Sequence, residues 1–163
     1  MITRVIEKMK IRNNKFIFVF IILIFIGISC QKNEIYHQFQ EIKDGTWNKY
    51  DTLFFEIDSL ETGIPYTISL EVTNNINYPY QNIWIFAQDN LSDSTFSYSQ
   101  KEYLLADKFG KWIGSGFGSL YQSSLPYRAN IILNEKRNHL IKIEHGMRDE
   151  SLIGIEKVGI KIS

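Results

Sequence analysis

Tyr66-Thr67-Ile68-Ser69-Leu70-Glu71-Val72-Thr73 alternates apolar and polar side chains without a break. A period of two puts Tyr66, Ile68, Leu70 and Val72 on one face of an extended chain and the polar residues on the other. That is the signature of a half-buried strand. Upstream, Leu53, Phe55 and Ile57 alternate with Phe54, Glu56 and Asp58. Downstream, Asn74-Asn75 and the Tyr78-Pro79 step interrupt the pattern and lead to a strand over 82–88. In Ile83-Trp84-Ile85-Phe86 both faces are apolar, as expected of a strand covered on both sides or facing a partner. Residues 95–105, 128–133, 139–145 and 157–162 bring the set to about seven strands. One or two helical turns fit 147–153, and no four-turn amphipathic helix appears beyond residue 30. Many strands and almost no helix predict an all-β fold, an antiparallel β-sandwich that is immunoglobulin-like or jelly-roll-like.

The amino-terminal stretch has another chemistry. The 163 residues carry 18 basic and 18 acidic groups, but Arg4, Lys8, Lys10, Arg12 and Lys15 stand against Glu7 alone in the first 29. Residues 30–163 therefore carry 13 basic and 17 acidic groups, the opposite of a nucleic-acid-binding surface, and no nucleic-acid partner is expected. After the basic residues comes an apolar run of 13, Phe16–Ile28. A helix of that length reaches about 20 Å, short of a hydrocarbon core of about 30 Å, and so reads as a secretory signal. The only cysteine follows in Ile26-Gly27-Ile28-Ser29-Cys30. This resembles a bacterial lipobox, in which the thiol is acylated and the chain is cut before it. Residues 1–29 are thus expected to be a lipoprotein signal peptide, with Met9 as an alternative start because 9–15 is a complete basic region. Residues 30–46 are expected to be a lipidated tether, and 47–163 the β-sandwich domain. Cys30 would carry acyl chains holding the protein to the membrane.

Little else in the chain argues for chemistry. Gly114-Ser115-Gly116-Phe117-Gly118 lacks the spacing and the following helix of a phosphate loop, and reads as a bent or bulged strand. The three histidines are His37, His139 and His145. The last two share a strand face but stand about 20 Å apart, too far to share a metal. Glu144, Asp149, Glu150 and Glu156 lack the oxygen spacing of a calcium loop. With no Gly-x-Ser-x-Gly elbow either, no enzyme, cofactor or metal is expected. Tyr78, Tyr80, Trp84 and Trp112 are the candidates for a partner or glycan surface, since aromatic faces stack on sugars as well as packing cores.

Three stretches together resemble one family: residues 74–82 (Asn-Asn-Ile-Asn-Tyr-Pro-Tyr-Gln-Asn), residues 103–118 from Tyr103 through Lys108-Phe109-Gly110-Lys111-Trp112 to Gly118, and Gly146-Met147-Arg148-Asp149-Glu150 running into 154–162. In that order, behind a lipobox and Trp47, they resemble the GldH gliding-motility lipoproteins of Bacteroidetes. The resemblance implies a non-catalytic envelope lipoprotein that supports gliding motility or type IX protein secretion through protein partners. After Cys30, Gln31-Lys32-Asn33-Glu34 resembles the lysine-plus-acidic surface-export signal of Bacteroidetes lipoproteins but has Asn33 in place of one acid, so a place on the periplasmic face of the outer membrane is expected. A glycan-binding lipoprotein is the alternative. Asp51-Thr52-Leu53, Asp58-Ser59-Leu60 and Asp93-Ser94-Thr95 resemble the O-glycosylation motif of the same phylum, which makes Thr52, Ser59 and Ser94 candidate acceptors.

Overall fold

The computed structural model describes residues 34–58 and 60–163. Eleven strands follow in chain order: β1 Tyr36–Glu41, β2 Thr46–Asn48, β3 Leu53–Ile57, β4 Pro65–Asn75, β5 Asn82–Asp89, β6 Ser97–Leu104, β7 Ser115–Phe117, β8 Leu120–Ile132, β9 His139–His145, β10 Ser151–Ile153 and β11 Ile155–Ile162. A single 3-10 turn, Lys43–Gly45, joins β1 to β2. The strands form a five-stranded sheet in the order β1-β11-β4-β8-β7, a four-stranded sheet in the order β3-β9-β5-β6, and a short β10-β2 ribbon. Neighbours are antiparallel throughout. The fold is an all-β antiparallel sandwich.

The alternation that identifies β4 also builds its core. Ile68, Leu70 and Val72 of β4 and Val158 and Ile160 of β11 are buried in one apolar cluster with Phe55, Ile83, Ile85, Ile141 and Ile143 of the second sheet. Each such side chain contributes roughly 1.5–3 kcal/mol when taken fully out of water. A buried ionic clamp also crosses between the sheets. Asp89 at the end of β5 is buried and accepts hydrogen bonds from Arg128 Nη2 at 2.9 Å and from the Tyr127 hydroxyl, both on β8. Buried charge persists only when paired in this way.

Four expectations need correction. Residues 36–41, assigned to the tether for their polarity, form β1, which pairs with the last strand from Tyr36↔Ile162 to Glu41↔Lys157. The pairing runs through the backbone, to which side-chain polarity is no guide. It is helped by Gly159, where a Cβ would come 2.6 Å from the Phe39 ring. The strand expected from 128 begins at Leu120, because the polar Gln122, Ser123 and Ser124 pair with β4 as well as apolar residues would. No helix forms over 147–153; residues 151–153 are β10 and pair with β2 around Trp47. Finally, of the two alternatives for β5, cover on both sides is set aside: Ile83 and Ile85 are buried, while Trp84 is 37% exposed.

Candidate functional site

The strand register determines which candidate residues meet. Successive side chains of β5 alternate, so Trp84 and Phe86 point to the outer face of the four-stranded sheet, opposite the core. Phe86 stands across from Gln100 of β6 and Glu144 of β9. The two rings floor an open groove of about 410 Å³, with Gly146 and Met147 along one side, Gln100 on the other, and Tyr80 and Arg148 at its head. The floor is held in place. A Cβ on Gly146 would lie 2.6 Å from Phe86 Cε1, so only glycine lets that ring lie against the backbone. The backbone N–H of Trp84 donates to Met147 Sδ at 3.3 Å. Tyr80 donates its hydroxyl to Asp149 Oδ2 at 2.7 Å, and this bond, more than burial, raises its pKa. Tyr98 extends the platform, its ring centroid 6.0 Å from that of Phe86.

Of the four aromatic candidates, Tyr80 and Trp84 therefore share one site. Tyr78 does not belong to any surface: it is 3% exposed, and its hydroxyl donates to the Asn82 carbonyl at 2.8 Å. Burial pushes its pKa well up. Tyr78 instead links Tyr80 to Trp112, at centroid distances of 5.9 and 6.3 Å, and Trp112 continues to Tyr121 at 5.9 Å. This aromatic row supports the loops at one end of the sandwich. Two of those loops carry phenylalanines in water: Phe109, in a turn tied by Asp107 Oδ1 to the N–H of Phe109 and of Lys111, and Phe117, 96% exposed in the β7–β8 hairpin. The glycine-rich 114–118 stretch is this hairpin strand.

Sequence reasoning missed Phe86, Gln100, Met147 and Arg148. Phe86 was within reach, since the alternation that turns Trp84 outward turns the residue two places on to the same face. Gln100 and Arg148 arrive through the β5–β6 register and the chain leaving β9, which no local pattern encodes.

The remaining candidates are scattered. Among the described residues no cluster of His, Cys, Asp and Glu could hold a metal ion. His139 and His145 sit at opposite ends of β9, both buried, and burial lowers the pKa of each. Ser94 is exposed in the loop after β5. Thr52 is half-buried and donates its hydroxyl to Glu144. Ser59 and Cys30 lie outside the described residues.

Comparison with known proteins points one way. Residues 34–162 match the family model described as GldH lipoprotein. The chain is 29% identical over 153 residues to the "Gliding motility lipoprotein GldH homolog" of Christiangramia forsetii, covering 90% of this chain and 93% of that one. It is 24% identical over 161 residues to the "Gliding motility lipoprotein GldH" of Flavobacterium johnsoniae, covering 94% and 98%. The match takes in every strand of both sheets, from β1 to β11, and on that ground the chain belongs to the GldH lipoprotein family.

Proposed function

We propose that this chain is a non-catalytic, lipid-anchored envelope protein that supports gliding motility and the type IX secretion machinery through protein contacts. In this reading it is held by Cys30 to the periplasmic face of the outer membrane. The observation that carries the proposal is the pair of exposed phenylalanines, Phe109 and Phe117, at the end of the sandwich opposite to the start of β1. β1 starts at the end of the sheet where Ile162 pairs with Ile68, whereas β7 pairs at the end where Leu120 meets Asn75. From Ile68 to Asn75 the chain advances about 25 Å. Phe109 and Phe117 thus stand at the opposite end of the five-stranded sheet from Tyr36, and in this reading they serve a protein partner. Exposed aromatics flanked by Lys108 and Lys111 suit an apolar pocket with an acidic rim.

The decisive experiment replaces Phe109 and Phe117 together by serine in the native host. Secretion and colony spreading should fall toward those of a gene disruption while the protein stays abundant and lipidated. Normal secretion and spreading with the double variant would overturn the reading. Anchoring is tested separately: Cys30→Ser should lose label from a metabolically supplied fatty acid. Glycan modification is proposed at Ser94 and Ser59 rather than Thr52, whose hydroxyl is committed to Glu144. Intact mass from the native host should show sugar increments that vanish in an Asp58→Ala, Asp93→Ala double variant.

A further inference from the structure

We propose that the groove over β5 is a saccharide-binding site that takes the pyranose rings of an uncharged glycan. Its floor offers two aromatic side chains two residues apart on one strand, Trp84 and Phe86, roughly 7 Å from one to the next. Phe86 is held before any ligand arrives by the bare backbone of Gly146, and the backbone under Trp84 is tied to the Met147 sulfur. A pyranose has an apolar C–H face that stacks on such rings and an equator of hydroxyls that needs donors and acceptors beside them. The groove supplies these as the Gln100 amide and the Arg148 guanidinium. Neither makes a side-chain hydrogen bond or an ion pair among the described residues. A guanidinium can bridge two neighbouring hydroxyls, and an amide both donates and accepts.

Other ligand classes fit less well. An extended peptide needs free backbone N–H and C=O groups, but β5 is an inner strand whose backbone pairs with β6 and β9 on its two sides. A phosphorylated or sulfated ligand needs an excess of cations, and here Arg148 stands with Asp149 and Glu102 close to the same rim. An acyl chain needs an enclosed apolar slot, and this groove is open to water along its length.

The site is tested on the full-length lipidated protein in detergent micelles, labelled with 5-fluorotryptophan so that Trp47, Trp84 and Trp112 each report. The probes are chitohexaose for N-acetylated envelope glycan, cellohexaose for neutral hexose polymers, and a heparin hexasaccharide as the anionic control. At least one uncharged hexaose should shift the Trp84 resonance saturably and leave that of buried Trp47 in place; which of the two binds identifies the source. Trp84→Ala, followed by calorimetry, should weaken binding at least about tenfold. Gln100→Ala, an exposed and structurally neutral change, should weaken it by about threefold or more. The Phe109, Phe117 double variant should bind as the parent does, so the site and the protein-contact reading stand or fall separately. If neither uncharged hexaose moves Trp84, if heparin alone binds, or if Trp84→Ala and Gln100→Ala both bind like the parent, the proposal is wrong.

Discussion

The outer faces of the two sheets are built on opposite plans. On the five-stranded sheet, Glu71 of β4 points away from the core yet is only 3% exposed. It accepts hydrogen bonds from Ser124 Oγ at 2.6 Å and Gln122 Nε2 at 3.1 Å, beside the Phe39 ring lying over Gly159. On the four-stranded sheet the equivalent face leaves Trp84 and Tyr98 exposed and Phe86 half-exposed, with Gln100 and Arg148 beside them making no side-chain hydrogen bond among the described residues. At Glu71 the first face has satisfied its charge from within the sheet, although Thr73 Oγ1 on the same strand is buried without a partner. The second keeps its binding capacity for something outside the chain. In a small β-sandwich, it is unspent capacity on a fixed surface that marks where to look for function.

Substitutions inside and outside the sandwich sharpen that contrast. The largest effect is expected at Trp47, 1% exposed, whose indole N–H donates to the Asp51 carbonyl at 2.8 Å and whose ring meets His145 edge-on at 5.3 Å. Trp47→Ala should cost about 3–5 kcal/mol in urea unfolding. On the closed face, Glu71→Ala should cost about 1–3 kcal/mol, because two polar side chains lose their buried acceptor. A cost near zero would mean that this face is as idle as the open one.

The pH response separates core from surface in another way. Burial lowers the pKa of His145 and His139 below the ordinary 6.5, so the folded state binds fewer protons than the unfolded one. Their neutral forms are fully compatible with folding above pH 6.5, and stability should fall as the pH drops below it toward their depressed values. Melting temperatures across pH 7.5 to 5 should decline, and His145→Gln should flatten the slope. The smallest effect belongs to the open face, where Trp84→Ala should change stability by about 1 kcal/mol or less. A loss comparable to that of Trp47→Ala would place Trp84 in the core and remove the contrast altogether.

The long strands were legible because their core faces are apolar at a strict period of two, as in β3, β4 and β9. β1 and the first half of β8 were not, since Gln38, Gln40, Gln122 and Ser124 contribute backbone pairing and nothing that a hydropathy pattern detects. The candidate site divides likewise. Trp84 and Tyr80 announce themselves by residue type. Tyr78 misled for the same reason, because a tyrosine buried with its hydroxyl satisfied looks no different in sequence from one in water. Gln100 and Arg148 are ordinary surface residues until the sheet register brings them to the groove.

The pairing of the first strand with the last has a mechanical consequence. A pull entering through the tether reaches Tyr36 at the outer end of β1 and acts along that strand, so its backbone bonds to β11 are loaded together in shear rather than opened one by one. β11 is gripped in turn by β4, and the final residue, Ser163, exchanges both backbone hydrogen bonds with Thr67 at 2.8 and 3.0 Å. The strand that would take a load from the amino-terminal side is thus fastened by β11, more than a hundred residues away in sequence, and a chain cut short before residue 155 would leave β1 with nothing to pair with.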